Sequence, residues 1–316
     1  MATLSQTHAY LGRIGLPLAD AAPLPAPTLA WLERVQRAHV LAVPFENLDQ
    51  HSDAKLLTGE QLHAWGLNET SVATAFPLPI FDKIVVRNRG GVCFESNVLL
   101  GSMLAALGFN ATFLKGHVNI APRGAEPIFQ LAAHIGIRVE IDGAVFYVDG
   151  GFGTSPLVPM AFDRLGEATE FVDDERKTPR RVWRVDSVNA SDFRIPGDET
   201  QVSLISAREP HLTDFYARII VCRRPWTLAE ISAAVEHVYF DAQSWFRNTI
   251  IAVRNTATHQ LVLLTSELTE TEIATGVNTK RAVDFGDLAA LFRTEFKFDV
   301  PSGFHLPLPV GNQTAA

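Results

Sequence analysis

Three residues with chemically reactive side chains, Cys93, His134 and Asp149, occur in that order along the chain. A thiolate nucleophile, an imidazole that takes and returns protons, and a carboxylate that holds the other imidazole nitrogen make up a complete nucleophilic system. Each of these residues alone is more often structural than catalytic. Together they predict a catalytic group, provided that the fold brings them into contact.

The sequence around Cys93 predicts how the nucleophile is presented. Residues 89–92, Arg-Gly-Gly-Val, lead into an apolar run that predicts a helix from Cys93 through Leu107, with Gly108 placed to end it. A cysteine in the first turn of a helix faces the positive end of the helix dipole and unpaired N–H groups, which favour the thiolate. The glycine pair predicts a sharp turn and the close approach of a ligand.

An Asp-Gly pair, Asp142-Gly143, gives the clearest local signal in the sequence. It stands between two alternating apolar runs and predicts a hairpin with a type I′ turn. With these two residues as the loop, Gly136 faces Asp149. His134 and Asp149 then share one face as diagonal neighbours, about 7–8 Å apart at the backbone. Gly136 is expected to leave room between them.

The same register predicts which face of the hairpin contacts the core. Successive side chains of a strand alternate between the two faces. The predicted core face consists of Ile135, Ile137, Val139, Ile141, Ala144, Phe146 and Val148. A slip of one residue would separate His134 from Asp149.

Composition limits the classes of protein that the chain could be. Its 316 residues, 47% hydrophobic, suffice for two or three domains, and a net charge of −8 argues against nucleic acid or an anionic membrane as a partner. The first residues lack the basic and apolar regions of a secretory signal. Two cysteines and no metal or phosphate-loop motif predict a cytoplasmic protein without a metal.

Local patterns predict further elements. Thr28 is a plausible N-cap for a helix that ends before Pro44, and Thr227 begins a helix to about Val238. The predicted strands are residues 110–118, 215–222, 244–254 and 260–265, and residues 287–296 are predicted to be a terminal helix. Residues 161–199 are charged and predict a solvated insertion, with a basic cluster at Arg176, Lys177, Arg180 and Arg181.

Three short segments resemble the arylamine N-acetyltransferases. They are Arg-Gly-Gly-Val-Cys-Phe-Glu-Ser-Asn at residues 89–97, Pro-Phe-Glu-Asn-Leu-Asp at residues 44–49, and Val-Asp-Gly-Gly-Phe-Gly at residues 148–153. The resemblance runs through most of the chain. It implies an α+β fold with a cysteine-protease-like core. Its three domains would be a helical bundle with the nucleophile (1–109), a β-barrel with His and Asp (110–222), and a linker helix with an α/β lid (223–316).

The resemblance also implies an activity. Cys93 would attack an acyl-CoA thioester, with acetyl-CoA the favoured donor, release CoA, and pass the acyl group to an aromatic amine or hydrazine. His134 would act as base and then acid, and Asp149 would orient it. Acyl transfer of this kind belongs to xenobiotic metabolism in the family.

Further roles follow from family position alone. Arg89 and Glu46 would support the site. The acceptor pocket would be lined by Phe152, Val118 and Phe45, and the CoA end by Gly151, Gly153 and Thr154. Gly150 stands where the family usually has Val or Ala, so a looser loop is expected there.

Three other activities use the same residues. An amide synthase or a malonyltransferase of this fold would keep the thioester chemistry with another acyl group or acceptor. A cysteine hydrolase or thioesterase would pass the acyl group to water. Only the hydrolase would release CoA without an added amine.

Overall fold

The computed structural model of the chain describes residues 2–19, 22–53, 77–170, 181–195, 201–241 and 244–307. Of the predicted basic cluster, Arg176, Lys177 and Arg180 lie outside the described residues. Arg181 is described, and it pairs with Glu209. No helix among these residues is long and apolar enough to cross a membrane.

The helices of the described chain are mostly short. The α-helices are α1 (Leu4–Arg13), α2 (Leu29–Ala42), α3 (Leu78–Phe81), α4 (Cys93–Ala106), α5 (Leu228–Phe240), α6 (Trp245–Asn248) and α7 (Leu288–Leu291). Short 3₁₀ helices cover Leu48–His51, Ala190–Phe193 and Phe285–Asp287, and π-helical turns cover Asp82–Val86 and Phe292–Phe296.

The strands form two antiparallel sheets. They are β1 (Phe45–Glu46), β2 (Asn110–Asn119), β3 (Phe129–Ile141), β4 (Ala144–Val148), β5 (Met160–Ala161), β6 (Ala168–Thr169), β7 (Val182–Val188), β8 (Val202–Arg208), β9 (Tyr216–Pro225), β10 (Ile251–Asn255), β11 (His259–Leu264), β12 (Glu267–Glu272) and β13 (Asn278–Ala282). One sheet has the order β5-β4-β3-β2-β9-β8-β7-β6 and the other β1-β10-β11-β12-β13.

The helix predicted after Thr28 and the helix predicted from Cys93 are both confirmed. The Thr28 hydroxyl accepts a hydrogen bond from the Trp31 N–H and caps α2. Helix α4 begins at Cys93 and is buried without a break from Cys93 to Leu104, which makes it the central helix of the molecule. Gly108 follows it with φ +89°, a conformation that glycine adopts most easily.

The predicted hairpin is confirmed in register and turn. Ile141 pairs with Ala144 and Ile137 with Val148, and Asp142 and Gly143 have φ of +50° and +81°, as a type I′ turn requires. The predicted core face contacts α4 through residues such as Ile137. The opposite face is buried in part: Tyr147 packs in a second apolar cluster inside the curled sheet, whereas Arg138 and Glu140 remain partly exposed.

The eight-stranded sheet curls until its edges meet, since β5 at one edge lies against β7 near the other. This near-barrel corrects the prediction of a solvated insertion at 161–199. That region supplies β6 and β7, and Trp183 and Val185 of β7 are buried in the interior. Every residue of β7 pairs with β8, so the strand depends on partners that a local pattern does not contain.

The five-stranded sheet forms the lid and carries an apolar core of its own. Phe292 and Phe296 of the C-terminal turns pack there. Two predictions here were wrong in extent. The strand predicted at 244–254 begins only at Ile251, after helix α6, and the predicted terminal helix splits into α7 and a π-helical turn.

Two elements bear on the predicted domain division, which stays a prediction. Strand β9 runs to Pro225 and so crosses the expected boundary at 222. Strand β1 belongs by sequence to the helical part but pairs with β10 of the lid sheet, Phe45 opposite Val253. The lid is therefore tied to the chain segment that precedes the nucleophile.

Candidate active site

Cys93, His134 and Asp149 meet where helix α4 crosses the β3–β4 hairpin. His134 Nε2 lies 2.8 Å from Asp149 Oδ2. The Cys93 sulfur lies 3.8 Å from the carbonyl oxygen of Ala133, the residue before His134, and is close enough to the His134 ring to raise its pKa. All three side chains are buried, Asp149 completely. The arrangement contains a nucleophile, a proton carrier and an orienting carboxylate in direct succession.

The Asp149 carboxylate accepts four hydrogen bonds. Asn97 Nδ2 and the Gly151 N–H donate to Oδ1 at 2.9 Å each, and the Tyr147 hydroxyl and His134 reach Oδ2 at 2.8 Å each. Burial alone would raise the pKa of Asp149, but the neighbouring His134 and these donors hold that pKa below its usual value. Asp149 is therefore ionised at neutral pH.

The ionised Asp149 sets the charge of His134. Burial would lower the pKa of His134, but the attraction of Asp149 and the hydrogen bonds to Asp149 and Cys93 outweigh it and raise the pKa to about 10. The imidazole is thus protonated at neutral pH and faces the thiol. A cationic ring at this position stabilises a thiolate.

Asn97 and Tyr147 both donate hydrogen bonds to Asp149, and the sequence analysis assigned no role to either of them. Asn97 also donates to the Ile135 carbonyl at 2.6 Å, so it joins the helix to the hairpin. A signal was present, because Asn97 lies four residues after Cys93 and hence on the same helix face. The expected room at Gly136 is taken by Tyr147, whose ring lies 2.4 Å from where a Cβ at Gly136 would stand.

The loop after Asp149 packs tightly against the nucleophile. A Cβ on Gly151 would lie 2.9 Å from the Cys93 Cα, so any side chain there would push the loop away from the helix. The expected loosening at Gly150 is wrong. Its N–H donates to Asn97 Oδ1 at 2.8 Å, and a Cβ there would meet the His39 ring at 2.6 Å.

A second hydrogen-bonded chain fixes the same loop from behind. The Tyr10 hydroxyl lies 2.9 Å from His39 Nδ1, and His39 Nε2 lies 2.9 Å from the Ser96 hydroxyl. Ser96 donates to the Gly150 carbonyl at 3.1 Å. Burial lowers the pKa of His39 to about 3, so this histidine stays neutral and its role is positional.

A cluster of five ionisable side chains, four of them buried and Asp49 half-buried, lies under the start of α4. Arg89 Nη2 donates to both carboxylate oxygens of Glu46, at 2.8 and 3.0 Å, and Lys83 Nζ lies 2.9 Å from both oxygens of Glu95. Asp49 bonds to both cations. Glu95 also accepts from the Val92 N–H at 3.0 Å. The cluster connects Arg89 and Glu46, which were predicted to support the site, to the first turn of the helix. Its other members, Lys83, Asp49 and Glu95, were not predicted.

The glycine pair before Cys93 is needed for packing within the chain. A Cβ on Gly90 would lie 1.9 Å from the Pro44 carbonyl oxygen, and the Gly91 N–H donates to that carbonyl at 3.2 Å. The glycine pair is therefore in close contact with the backbone at Pro44, and the close approach of a ligand stays a prediction.

The residues predicted to contact substrates are spread around the triad. Phe152 is half-buried, and its ring meets the His134 ring edge to face at 5.2 Å. Val118 lies on β2, two residues beyond the Gly116–His134 pair. Phe45 packs on Phe246 at the lid. Phe152 thus directly contacts the triad. Val118 lies on β2, which pairs with the strand of His134, and Phe45 lies on β1 of the other sheet.

The three residues assigned to the CoA end behave differently from one another. Gly151 packs directly against the backbone of Cys93. The Gly153 carbonyl accepts from Asn255 at 2.7 Å, and the Thr154 hydroxyl accepts from Arg218 at 2.7 Å. The loop therefore bridges the nucleophile, the lid and the near-barrel.

A cavity of about 360 Å³ opens beside this loop, between the near-barrel and the lid sheet. Its lining includes Ser155 and the cationic side chains Arg123, Arg181 and Lys280. In the described part of the chain, no group of three or more His, Cys, Asp or Glu residues could hold a metal ion.

Known proteins are similar to this chain in sequence and in fold. A family model described as N-acetyltransferase matches residues 28–304. Arylamine N-acetyltransferase 1 of Homo sapiens is 32% identical over 61% of this chain and 59% of its own length. The arylamine N-acetyltransferase of Mycolicibacterium smegmatis is 27% identical over 89% of this chain and 92% of its own. The human match spans less than two thirds of that relative.

The structure of the arylamine N-acetyltransferase from Mycobacterium abscessus superimposes with a TM-score of 0.73, covering 94% of this chain and 90% of that one at 23% identity. Fold and site together define an α+β protein with a buried Cys-His-Asp group between a helix and a curled sheet. The family match over most of the chain makes the assignment specific: the chain belongs to the arylamine N-acetyltransferase family.

Proposed function

We propose that the protein is an acyl-CoA:arylamine N-acyltransferase that works through a Cys93 acyl-thioester, with acetyl-CoA as the favoured donor and an aromatic amine or hydrazine as acceptor. The observation that carries the proposal is the contact of a helix-start thiol with an imidazole whose pKa Asp149 raises to about 10. Membership of the family supplies the substrate classes.

The proposed reaction has two halves. In the first, the Cys93 sulfur attacks the thioester carbonyl carbon, the carbon–sulfur bond to CoA breaks, and CoA leaves with the proton of the His134 imidazolium. In the second, the amine nitrogen attacks the acyl-Cys93 carbonyl. His134 takes the amine proton, and Cys93 leaves as the thiolate. Asp149 keeps the ring oriented throughout and stabilises its charged form.

The same proposal assigns CoA to the 360 Å³ cavity between the near-barrel and the lid. Arg123, Arg181 and Lys280 offer positive charge to the phosphates, and the loop at Gly153 and Thr154 leads from the cavity to Cys93. Phe152, Val118 and Phe45 are assigned to the acceptor side. Both cysteines are free, which fits the cytoplasm as the proposed location.

The test is CoA release from acetyl-CoA, measured by chromatography with and without an arylamine. Sustained release that requires the amine supports transfer. Equal sustained release without amine identifies a hydrolase and overturns the proposal. Cys93→Ser should reduce turnover at least about 10³-fold. Cys222→Ser, which replaces the other buried cysteine, is the matched control and should keep most of the activity.

A further inference from the structure

The hydroxyl of Tyr147 bonds to the same oxygen of Asp149 as the catalytic imidazole does. Tyr147 Oη donates to Asp149 Oδ2 at 2.8 Å, and His134 Nε2 lies 2.8 Å from that oxygen. The donors Asn97 and the Gly151 N–H bond to Oδ1 instead. The tyrosine therefore competes directly with the imidazole for the charge on one carboxylate oxygen.

The sequence provides space for this contact at Gly136. This glycine lies inside β3 and does not have the positive φ that favours glycine. A Cβ there would lie 2.4 Å from Cε2 of the Tyr147 ring and 3.1 Å from its hydroxyl oxygen. Glycine at this position thus serves the close approach of the ring rather than an unusual backbone conformation.

Packing alone does not account for the hydroxyl. Tyr147 is completely buried in the apolar cluster inside the curled sheet, and its ring meets that of Phe162 edge to face at 6.2 Å. A phenylalanine would fill the same space, whereas a buried hydroxyl needs a partner. Burial and the charge of Asp149 hold the pKa of Tyr147 well above its usual value. The hydroxyl therefore keeps its proton and donates to Asp149 throughout the neutral range.

Titratable groups on other elements also lie near Asp149 and His134. Cys93 on α4 raises the pKa of His134. His39 on α2 stays neutral, because burial lowers its pKa to about 3, and Arg138 on β3 is paired with a carboxylate of its own strand at 3.0 Å. His39 and Arg138 therefore keep a constant charge in the neutral range. Cys93 is the group whose own titration must be removed to observe His134 by itself.

A tightly held proton is a disadvantage in acid–base catalysis. Asp149 raises the pKa of His134 to about 10, whereas a proton carrier works best when its pKa is near the working pH. A hydrogen bond to a carboxylate oxygen stabilises its negative charge and weakens the attraction of that charge for a neighbouring cation. The Tyr147 hydroxyl thus opposes the effect of Asp149 on the imidazole.

We propose that Tyr147 is a positioning residue that fixes the Asp149 carboxylate and weakens its hold on the His134 proton, so that the imidazole can exchange that proton in each half-reaction. This proposal rests on the proposed function and adds a fourth residue to its proton-transfer machinery. Tyr147 acts through Asp149, and its own proton stays in place. Gly136 contributes by leaving the ring its position.

The first experiment measures the discharge of acetyl-Cys93 by an arylamine in a single turnover, from pH 6 to pH 10, in the wild type and in Tyr147→Phe. The rise of the rate with pH reports the loss of the His134 proton. In Tyr147→Phe this rise should lie roughly one pH unit higher, so that the rate at pH 7 falls about 10-fold and recovers in alkali. An equal loss at every pH would mean a packing role, and an unchanged profile would mean no role. Either result would overturn the proposal.

Two further variants test the contact itself. Gly136→Ala keeps the tyrosine hydroxyl but pushes the ring away, so its profile should move in the same direction. Tyr216→Phe is the matched control, because the Tyr216 hydroxyl also donates to a carboxylate, that of Glu209, at 2.7 Å. It should leave the position of the profile on the pH axis unchanged. An unshifted profile for Gly136→Ala, or a shifted one for Tyr216→Phe, would contradict the proposal.

A titration by nuclear magnetic resonance separates this proposal from the proposed function, because it needs no turnover. Histidine labelled with nitrogen-15 is followed in Cys93→Ala and in Cys93→Ala/Tyr147→Phe, and the His134 signal is assigned by its loss in His134→Gln. The midpoint of the His134 titration should be roughly one pH unit higher in the double variant. A higher midpoint supports the role of Tyr147 even if no acyl transfer is found. An equal or lower midpoint contradicts it, even if the wild type is an active transferase.

Discussion

The described part of the molecule contains two buried cysteine–histidine pairs, of which only one has the surroundings of a catalytic pair. Cys93 is close to His134, and the Cys222 sulfur lies 3.3 Å from His117 Nε2. The two sulfurs are equally buried, since each cysteine is 3% exposed. Burial and residue type therefore do not separate the two pairs.

The difference lies at the far nitrogen of each ring. His134 faces the Asp149 carboxylate at 2.8 Å, which favours the protonated ring. His117 Nδ1 accepts a hydrogen bond from the Ala132 N–H at 3.1 Å, so its hydrogen is on Nε2 and points to Cys222. The far nitrogen of His134 thus faces a negative charge, whereas the far nitrogen of His117 faces a backbone N–H. Position adds to this, because Cys93 begins a helix and Cys222 lies within β9.

The largest expected effect comes from exchanging the carboxylate. Asp149→Asn keeps the size of the side chain but removes the charge that holds the imidazolium. We expect acyl transfer to fall roughly 10³- to 10⁴-fold. His117→Gln is the matched change in the other pair. It should keep turnover near the wild-type value and lower the free energy of unfolding by about 1–3 kcal/mol, because the Ala132 N–H loses its acceptor. Similar kinetic losses in both variants would abolish the distinction.

How far these pairs could be predicted from the sequence depends on the range of the interactions. The register of the hairpin follows from Asp142-Gly143, and it brought His134 and Asp149 to one face. Tyr147 was on that face as well, but its hydroxyl contact with Asp149 depends on how the ring fills the space at Gly136.

Longer-range features had no local signal. The ion pair between Lys83 and Glu95 forms because the chain turns back on itself between them. Strand β1 pairs with β10, which lies about two hundred residues further along the chain. Strand β7 has a mixed polar and apolar pattern, which by itself indicates an exposed segment. It becomes a strand of the sheet through its pairing with β8. Pairing between distant segments decides such elements, and single-sequence patterns do not contain it.

A smaller effect is expected from moving the nucleophile slightly. In Gly151→Ala, the new Cβ would lie 2.9 Å from the Cys93 Cα and 3.1 Å from Asn97 Nδ2, so the loop and helix must separate. Turnover should fall about 10- to 100-fold, without loss of the folded state. Gly12→Ala, in helix α1 where nothing lies within 4 Å of the added atom, is the control and should leave turnover intact. An unaffected Gly151→Ala would mean that this contact does not position Cys93.

The smallest expected effect is the dependence of stability on pH that His134 produces. The pKa of His134 rises from 6.5 in the unfolded chain to about 10 in the folded protein, so the folded state binds this proton more tightly. That stabilisation is complete below pH 6.5 and is lost as the pH rises to about 10. Urea unfolding at pH 6, 8 and 10 should show the wild type losing its advantage over Asp149→Asn in this interval. Parallel pH profiles for the two proteins would contradict the raised pKa.

The most direct test of the difference between the two pairs is the mass of the intact protein after brief incubation with acetyl-CoA or malonyl-CoA, without amine. One acyl group should be found per chain, on the peptide that contains Cys93 and not on the peptide that contains Cys222, and an arylamine or hydrazine should remove it. Absence of an adduct, an adduct on Cys222, or an adduct that water removes as fast as the amine would contradict the account.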